Sequence, residues 1–105
     1  MLEKDVERIL VKAIKDAGGI AYKFTSPGND GVPDRVVCLP GGYTVFVEVK
    51  TDKGKLSRLQ ERQIARLRSV GQTVDVVYGV SGIVRFLTAY GMIEQAEILR
   101  GVYGV

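Results

Sequence analysis

Apolar residues recur along this chain at two different periods, and the switches between them mark out its elements. Leu2, Val6, Ile9, Leu10, Ala13, Ile14 and Ala17 fall at helical spacing, with Lys4, Arg8, Lys12 and Lys15 on the opposite side. Residues 2 to 17 are therefore predicted to form an amphipathic helix that Gly18-Gly19 terminates. Ile20 to Phe24 reads as a short strand, and the turn formers of residues 25 to 33 (TSPGNDGVP) read as a loop. Residues 34 to 39 (DRVVCL) and 43 to 50 (YTVFVEVK) alternate as strands, and Pro40-Gly41-Gly42 is short enough to join them as a hairpin. After a polar loop at residues 52 to 56, Ser57-Arg-Leu-Gln60 has the form of a capping box opening a helix to about Val70, where Gly71 ends it. Thr73 to Tyr78 is a further strand, which makes that helix the crossover of a β-α-β unit. Ser81 is expected to cap a third helix through about Tyr90, and residues 91 to 105 to form a short helix and tail, a C-terminal extension that packs on the domain or dimerises. The order α-β-β-β-α-β-α predicts an α/β domain over residues 1 to 90, with a small mixed sheet flanked by helices.

The informative residues are polar ones at positions where the pattern calls for apolar ones. In the strand 43 to 50, Val45, Val47 and Val49 share one face, so Glu48 and Lys50 project from the other beside Thr44 and Phe46. Buried in a sheet, a carboxylate and an ammonium must pair or bind something; at a solvent-facing strand end they are an ordinary salt bridge. Asp34 opens the preceding strand directly after Pro33, where a hairpin could bring it near Glu48, although a turn residue or cap also suits that position. Two converging carboxylates require a cation between them, and hard oxygen ligands suit Mg²⁺ or Mn²⁺. Glu3 falls inside the apolar sector of the first helix with Glu7 at its margin, a position also explained by the preference for acids in a first helical turn. Gln60 faces inward with Gln63, Ile64 and Leu67, so a site role competes with its capping role for one side chain.

Composition narrows the chemistry. The 105 residues include no histidine and one cysteine, Cys38. Imidazole-based nucleophile pairs, His-liganded metals and a four-cysteine site are thereby excluded, and catalysis must use carboxylates, lysine or an oxygen-held metal. The net charge is only +3, but Lys50, Lys53, Lys55, Arg58, Arg62, Arg66 and Arg68 crowd one segment against Asp52 and Glu61 alone. Arg58, Arg62 and Arg66 form one helical stripe, either a track for a phosphate backbone or a solvated face. No apolar run is long enough to span a bilayer and the N-terminus is acidic, so a soluble, intracellular protein is expected, with no membrane partner.

The run Gly31-Val-Pro-Asp34, followed by Glu48-Val-Lys50, with Glu3 ahead of Gly18-Gly19 and Leu56-Ser57 before Gln60, resembles the PD-(D/E)xK nuclease superfamily. More narrowly, residues 3 to 88 are similar to a stand-alone VRR-NUC (virus-type replication-repair nuclease) domain of phages and bacteria. The resemblance implies a restriction-endonuclease-like core in which Asp34, Glu48 and the Val49 backbone carbonyl hold Mg²⁺ or Mn²⁺. Glu3 completes the acidic cluster, with Glu7, one turn on, as the alternative. Lys50 orients or helps to deprotonate the attacking water, and Gln60 positions Lys50 or the water. The implied activity is a metal-dependent, structure-selective DNA endonuclease acting in phage replication or repair, on branched DNA such as Holliday junctions, with flaps or single strands as the fallback. Lys53, Lys55, Arg58, Arg62 and Arg66 are the expected DNA contacts. Junction cleavage calls for a homodimer, whose interface is expected from Met92, Ile93, Ile98, Leu99, Val102 and Tyr103 or from Phe86 and Tyr90; a monomer using the same residues as core is the competing expectation. The alternative function is a non-catalytic DNA-binding module that uses the basic helix 58 to 68, and a weaker one is a protein-interaction domain.

Overall fold

Valine alternation in the longest strand organises the molecule. In the computed structural model, which describes residues 1–105, the chain runs α1 (Glu3–Asp16), β1 (Ile20–Lys23), β2 (Arg35–Leu39), β3 (Tyr43–Lys50), α2 (Arg58–Ser69), β4 (Val74–Tyr78), α3 (Gly79–Ala89) and α4 (Ile93–Tyr103). The strands form one sheet in the order β1-β2-β3-β4, antiparallel except for β4, which lies parallel to β3 after the α2 crossover. Val45, Val47 and Val49 are buried with Val37, Leu39 and Val77 against Val6, Leu10 and Ile14 of α1, Ile83 and Leu87 of α3, and Ala96 of α4. Leu10, Ile14, Ile83 and Leu87 are fully excluded from solvent; at such positions truncation to alanine costs about 2–5 kcal/mol.

The opposite face is covered differently. There α2 buries a single residue, Ile64, so apolar contact alone fixes its position only loosely. Polar contacts supplement it: the Arg68 guanidinium donates to the Val74 carbonyl at 2.6 Å, and the helix start is held by the site residues described below. The rings of Phe24 and Phe46 pack at 5.4 Å between centroids.

One expectation is corrected. The third helix does not start at Ser81. It begins at Gly79, with Tyr78 at the N-cap and no side-chain cap, and Ser81 is an exposed residue inside it. Gly79 adopts φ +66° and lies so close to Asp52 that an added Cβ would approach the Asp52 Cβ to 3.1 Å, which lets the chain turn from strand to helix without a linker. The short helix expected after residue 91 spans residues 93 to 103 and ends at Gly104 in the left-handed conformation, which adds a final helix to the element order. Phe86 is buried in the core and so offers no surface for an interface. Ile93, Ile98, Val102 and Tyr103 remain exposed. No helix is long and apolar enough to cross a membrane.

Candidate active site

The β2–β3 register pairs Arg35 with Val47. One step further sets Asp34 opposite Glu48, both on the α2 face of the sheet. The Asp34 carboxylate accepts the Val49 N–H at 2.8 Å. In an extended strand the N–H and C=O of one residue point the same way, so the Val49 carbonyl also faces β2. The next position there is Pro33, which is buried and has no N–H to donate. The Pro-Asp dipeptide thus serves two ends: proline withholds a ladder partner from the Val49 carbonyl, and aspartate engages the Val49 amide.

Glu3 at the first position of α1, Asp34 and Glu48 each bring a carboxylate oxygen within 4.8 Å of the others. Glu48 is 1% and Lys50 9% exposed, with Lys50 Nζ 3.8 Å from Glu48 Oε2. Glu3 is exposed and Asp34 half-buried, so the cluster opens to solvent on their side. Burial pushes the Glu48 carboxyl up from 4.5 to about 7; the Asp34 and Glu3 charges act in the same direction, and Lys50 only partly opposes them. Four of the expected catalytic residues, Glu3, Asp34, Glu48 and Lys50, are therefore brought together.

The fifth, Gln60, joins them without giving up its cap. Its Oε1 accepts the Ser57 N–H at 2.9 Å, the Ser57 hydroxyl accepts the Gln60 N–H at 3.1 Å, and Gln60 Nε2 donates to Glu48 Oε2 at 3.0 Å. The two roles that compete on paper are served by opposite ends of one amide. Glutamate could fill only the first, because it would present a second carboxylate to Glu48.

Glu7 lies elsewhere. Its Oε2 accepts from Arg35 Nε at 2.7 Å and from Lys23 Nζ at 3.3 Å, over the α1 face of the sheet, so it is Glu3 that reaches the cluster. Strand alternation explains the split: Asp34 and Arg35 are neighbours in the chain and point to opposite faces. The Arg35 contact was not foreseen, although a signal for it existed. A cation on the same strand face as Val37 and Leu39 needs an anion from the covering helix, and Glu7 is that anion. Lys53, Lys55, Arg58, Arg62 and Arg66 are all exposed and take part in no ion pair, which leaves their charges available to a ligand.

The loop before β2 is locked against α2. Gly31 has φ +89°, and a Cβ there would lie 2.7 Å from the Leu59 backbone carbon and 2.9 Å from the Gln60 nitrogen. Gly31→Ala is thus strained in conformation and blocked by backbone. The expected outcome is a loss of about 2 kcal/mol or more in chemical denaturation, with cleavage falling further than stability accounts for, because the displaced backbone carries Gln60 away from Glu48.

Comparison with known proteins agrees with this geometry. The family model for the VRR-NUC domain matches residues 3–81, an interval containing every residue of the cluster. The nuclease candidate p44 of Acyrthosiphon pisum secondary endosymbiont phage 1 is 48% identical over 75 residues, covering 71% of this chain and 81% of that protein. A solved structure described as a VRR_NUC domain superposes with a TM-score of 0.77 at 29% identity, over 84% of this chain and 96% of its own. A second, described as a VRR_NUC domain protein, gives a TM-score of 0.68 over 89% and 90% of the two chains; at 16% identity it bears on the fold alone. From the matched interval, the shared architecture and the clustered carboxylates together, the chain belongs to the VRR-NUC family of nuclease domains.

Proposed function

We propose that the protein is a divalent-metal-dependent endonuclease that hydrolyses phosphodiester bonds in branched DNA. The observation that carries this reading is the convergence of Glu3, Asp34 and Glu48 to within 4.8 Å beside the buried Lys50. The donor set fits Mg²⁺ or Mn²⁺: it is all oxygen, with no imidazole and no nearby thiolate, and a cation would relieve the mutual repulsion that raises Glu48. Glu3, Asp34, Glu48 and the Val49 carbonyl are the groups that would hold the ion. When bound, it supplies Lewis-acid activation of water and stabilises charge developing on phosphorus.

The remaining steps fall to the chain itself. Gln60 fixes one Glu48 oxygen and leaves the other free to turn toward the cluster. Lys50 directs positive charge into the site, where it orients the attacking water and offsets the negative charge that builds on the phosphate oxygens. The stripe Arg58, Arg62 and Arg66, with Lys53 and Lys55, lies on the helix and loop that follow Lys50 and suits the phosphate backbone on one side of the scissile bond. No element suited to reading base edges accompanies it, which favours recognition by shape. The exposed Ile93, Ile98, Val102 and Tyr103 favour a two-fold dimer that sets two sites on opposed strands of a junction.

Incubation with junction, flap and linear DNA in Mg²⁺, Mn²⁺ or EDTA is expected to give metal-dependent nicking with the junction preferred, and light scattering a dimer. Tight binding without cutting under any divalent ion would instead favour the binding-module reading. Replacing Arg58, Arg62 and Arg66 together by alanine is expected to weaken binding and to reduce the slope of log K against log salt by about 3. An unchanged slope would remove the stripe from the interface.

A further inference from the structure

Arg35 sits directly after Asp34 in the chain, and by strand alternation its side chain is on the far side of the sheet from the carboxylate cluster. Its Nε donates to Glu7 Oε2 at 2.7 Å and its Nη1 to the Ala21 carbonyl at 3.2 Å. The Arg35 and Glu7 side chains are only 20% and 17% exposed, whereas every surface pair involves at least one partner that is half-exposed or more. Lys23 adds a second cation to Glu7 at 3.3 Å. Glu7 stands four residues after Glu3 on one stripe of α1. The Glu3 side chain makes no hydrogen bond or ion pair of its own; Leu2 at the N-cap offers no side-chain cap, and the one local tie at the helix start, Asp5 Oδ2 accepting the Leu2 N–H at 3.0 Å, closes the first turn on itself without fixing it to the sheet. Below Glu3, the start of this helix is held to the sheet by Val6, which is 1% exposed, and by the Glu7–Arg35 clamp.

We infer that Arg35 is a positioning residue for the metal site: by clamping Glu7 it sets the register of the first turn of α1 and so delivers the Glu3 carboxylate to Asp34 and Glu48. It also holds Glu7 on the opposite side of the sheet, so that the acid one turn away does not compete with Glu3. Two consecutive residues at the entry to β2, Asp34 and Arg35, thereby place two of the three acids, Asp34 directly and Glu3 through the helix. The inference rests on the proposed metal site.

The test is a double-mutant cycle read by calorimetric Mn²⁺ binding to the intact protein, without DNA. Arg35→Gln is expected to weaken Mn²⁺ binding about tenfold in the native background, the scale seen when groups behind a ligand are removed. In a Glu3→Gln background the same change should cost less than about twofold. Glu7→Gln, which keeps the helix face and removes only the charge, should reproduce the loss, and Arg35→Lys should restore part of it. Equal losses with and without Glu3, or no loss in either, overturn the inference, and a merely structural role for Arg35 gives the former. Glu48→Ala separates the two levels. If wild type binds Mn²⁺ no better than Glu48→Ala, the metal site itself fails and this inference with it. If Glu48→Ala abolishes binding while Arg35→Gln leaves it intact, only the role of Arg35 fails.

Discussion

Asp34→Asn is expected to yield a protein that no longer cuts DNA yet is at least as stable as wild type at pH 8. The substitution keeps an oxygen that can accept the Val49 N–H, now held at 2.8 Å, and so preserves the start of β2. It removes one of the two carboxylates that raise the Glu48 carboxyl, so ionising Glu48 in the folded protein becomes less costly. The functional effect runs the other way, since the amide is a poor ligand for a hard divalent cation. Cleavage at saturating Mn²⁺ should fall by at least about 100-fold, the scale of losing one preorganised electrostatic partner in a transition state. Denaturation midpoints and single-turnover rates, measured on the same preparation, check both halves. Near-native cleavage would remove Asp34 from the site, and a large drop in stability would mean that the carboxylate charge is structural.

The second large effect is a dependence of metal-free stability on pH. The Glu48 carboxyl sits at about 7 in the folded chain against 4.5 for a free side chain. Below pH 4.5 both states carry the proton and nothing is lost. Between about 4.5 and 7 the unfolded chain releases its proton while the folded one retains it, so folding loses stability as pH rises; above about 7 the loss is complete. A shift of this size corresponds to roughly 3 kcal/mol. In EDTA, the stability difference between wild type and Glu48→Gln should therefore move in favour of the variant from pH 5 to pH 8, a comparison in which the other carboxylates cancel. Millimolar Mn²⁺ at pH 8 should restore stability to wild type and not to Glu48→Gln. A difference that stays flat with pH would show that Glu48 ionises normally in the fold.

Much of this is legible in the sequence, and the particular residues show why. Glu48 and Lys50 stood out because a period of two, sustained by Val45, Val47 and Val49, left only one face for them. The Ser57 box gave the start of α2 to within a residue, because capping is a local matter of four positions. What stays open is non-local. Helical periodicity places Glu3 inside the apolar sector and Glu7 at its margin, which ranks the two acids without deciding between them; the partner that separates them is Arg35, 28 residues beyond Glu7. Ser81 looked like a cap because serine commonly is one, whereas the real transition relies on the close approach of Gly79 to Asp52 across the ends of two parallel strands. The apparent conflict over Gln60 dissolved only when the two ends of its amide could be seen to face different partners.

One contact outside the site bears on how this protein behaves in a crowded cell. The strand β4 lies at the edge of the sheet, and because Phe46 donates its N–H to the Thr73 carbonyl, alternation turns the backbone groups of Val74, Val76 and Tyr78 outward. An open row of that kind invites strand addition from another chain, a route to aggregation. The Arg68 guanidinium, bonded to the Val74 carbonyl, occupies the first place in the row and sets a fixed charge beside it. One hydrogen bond from the α2 crossover thus shortens the open row and places a charge on it, so Arg68 opposes strand addition at that edge.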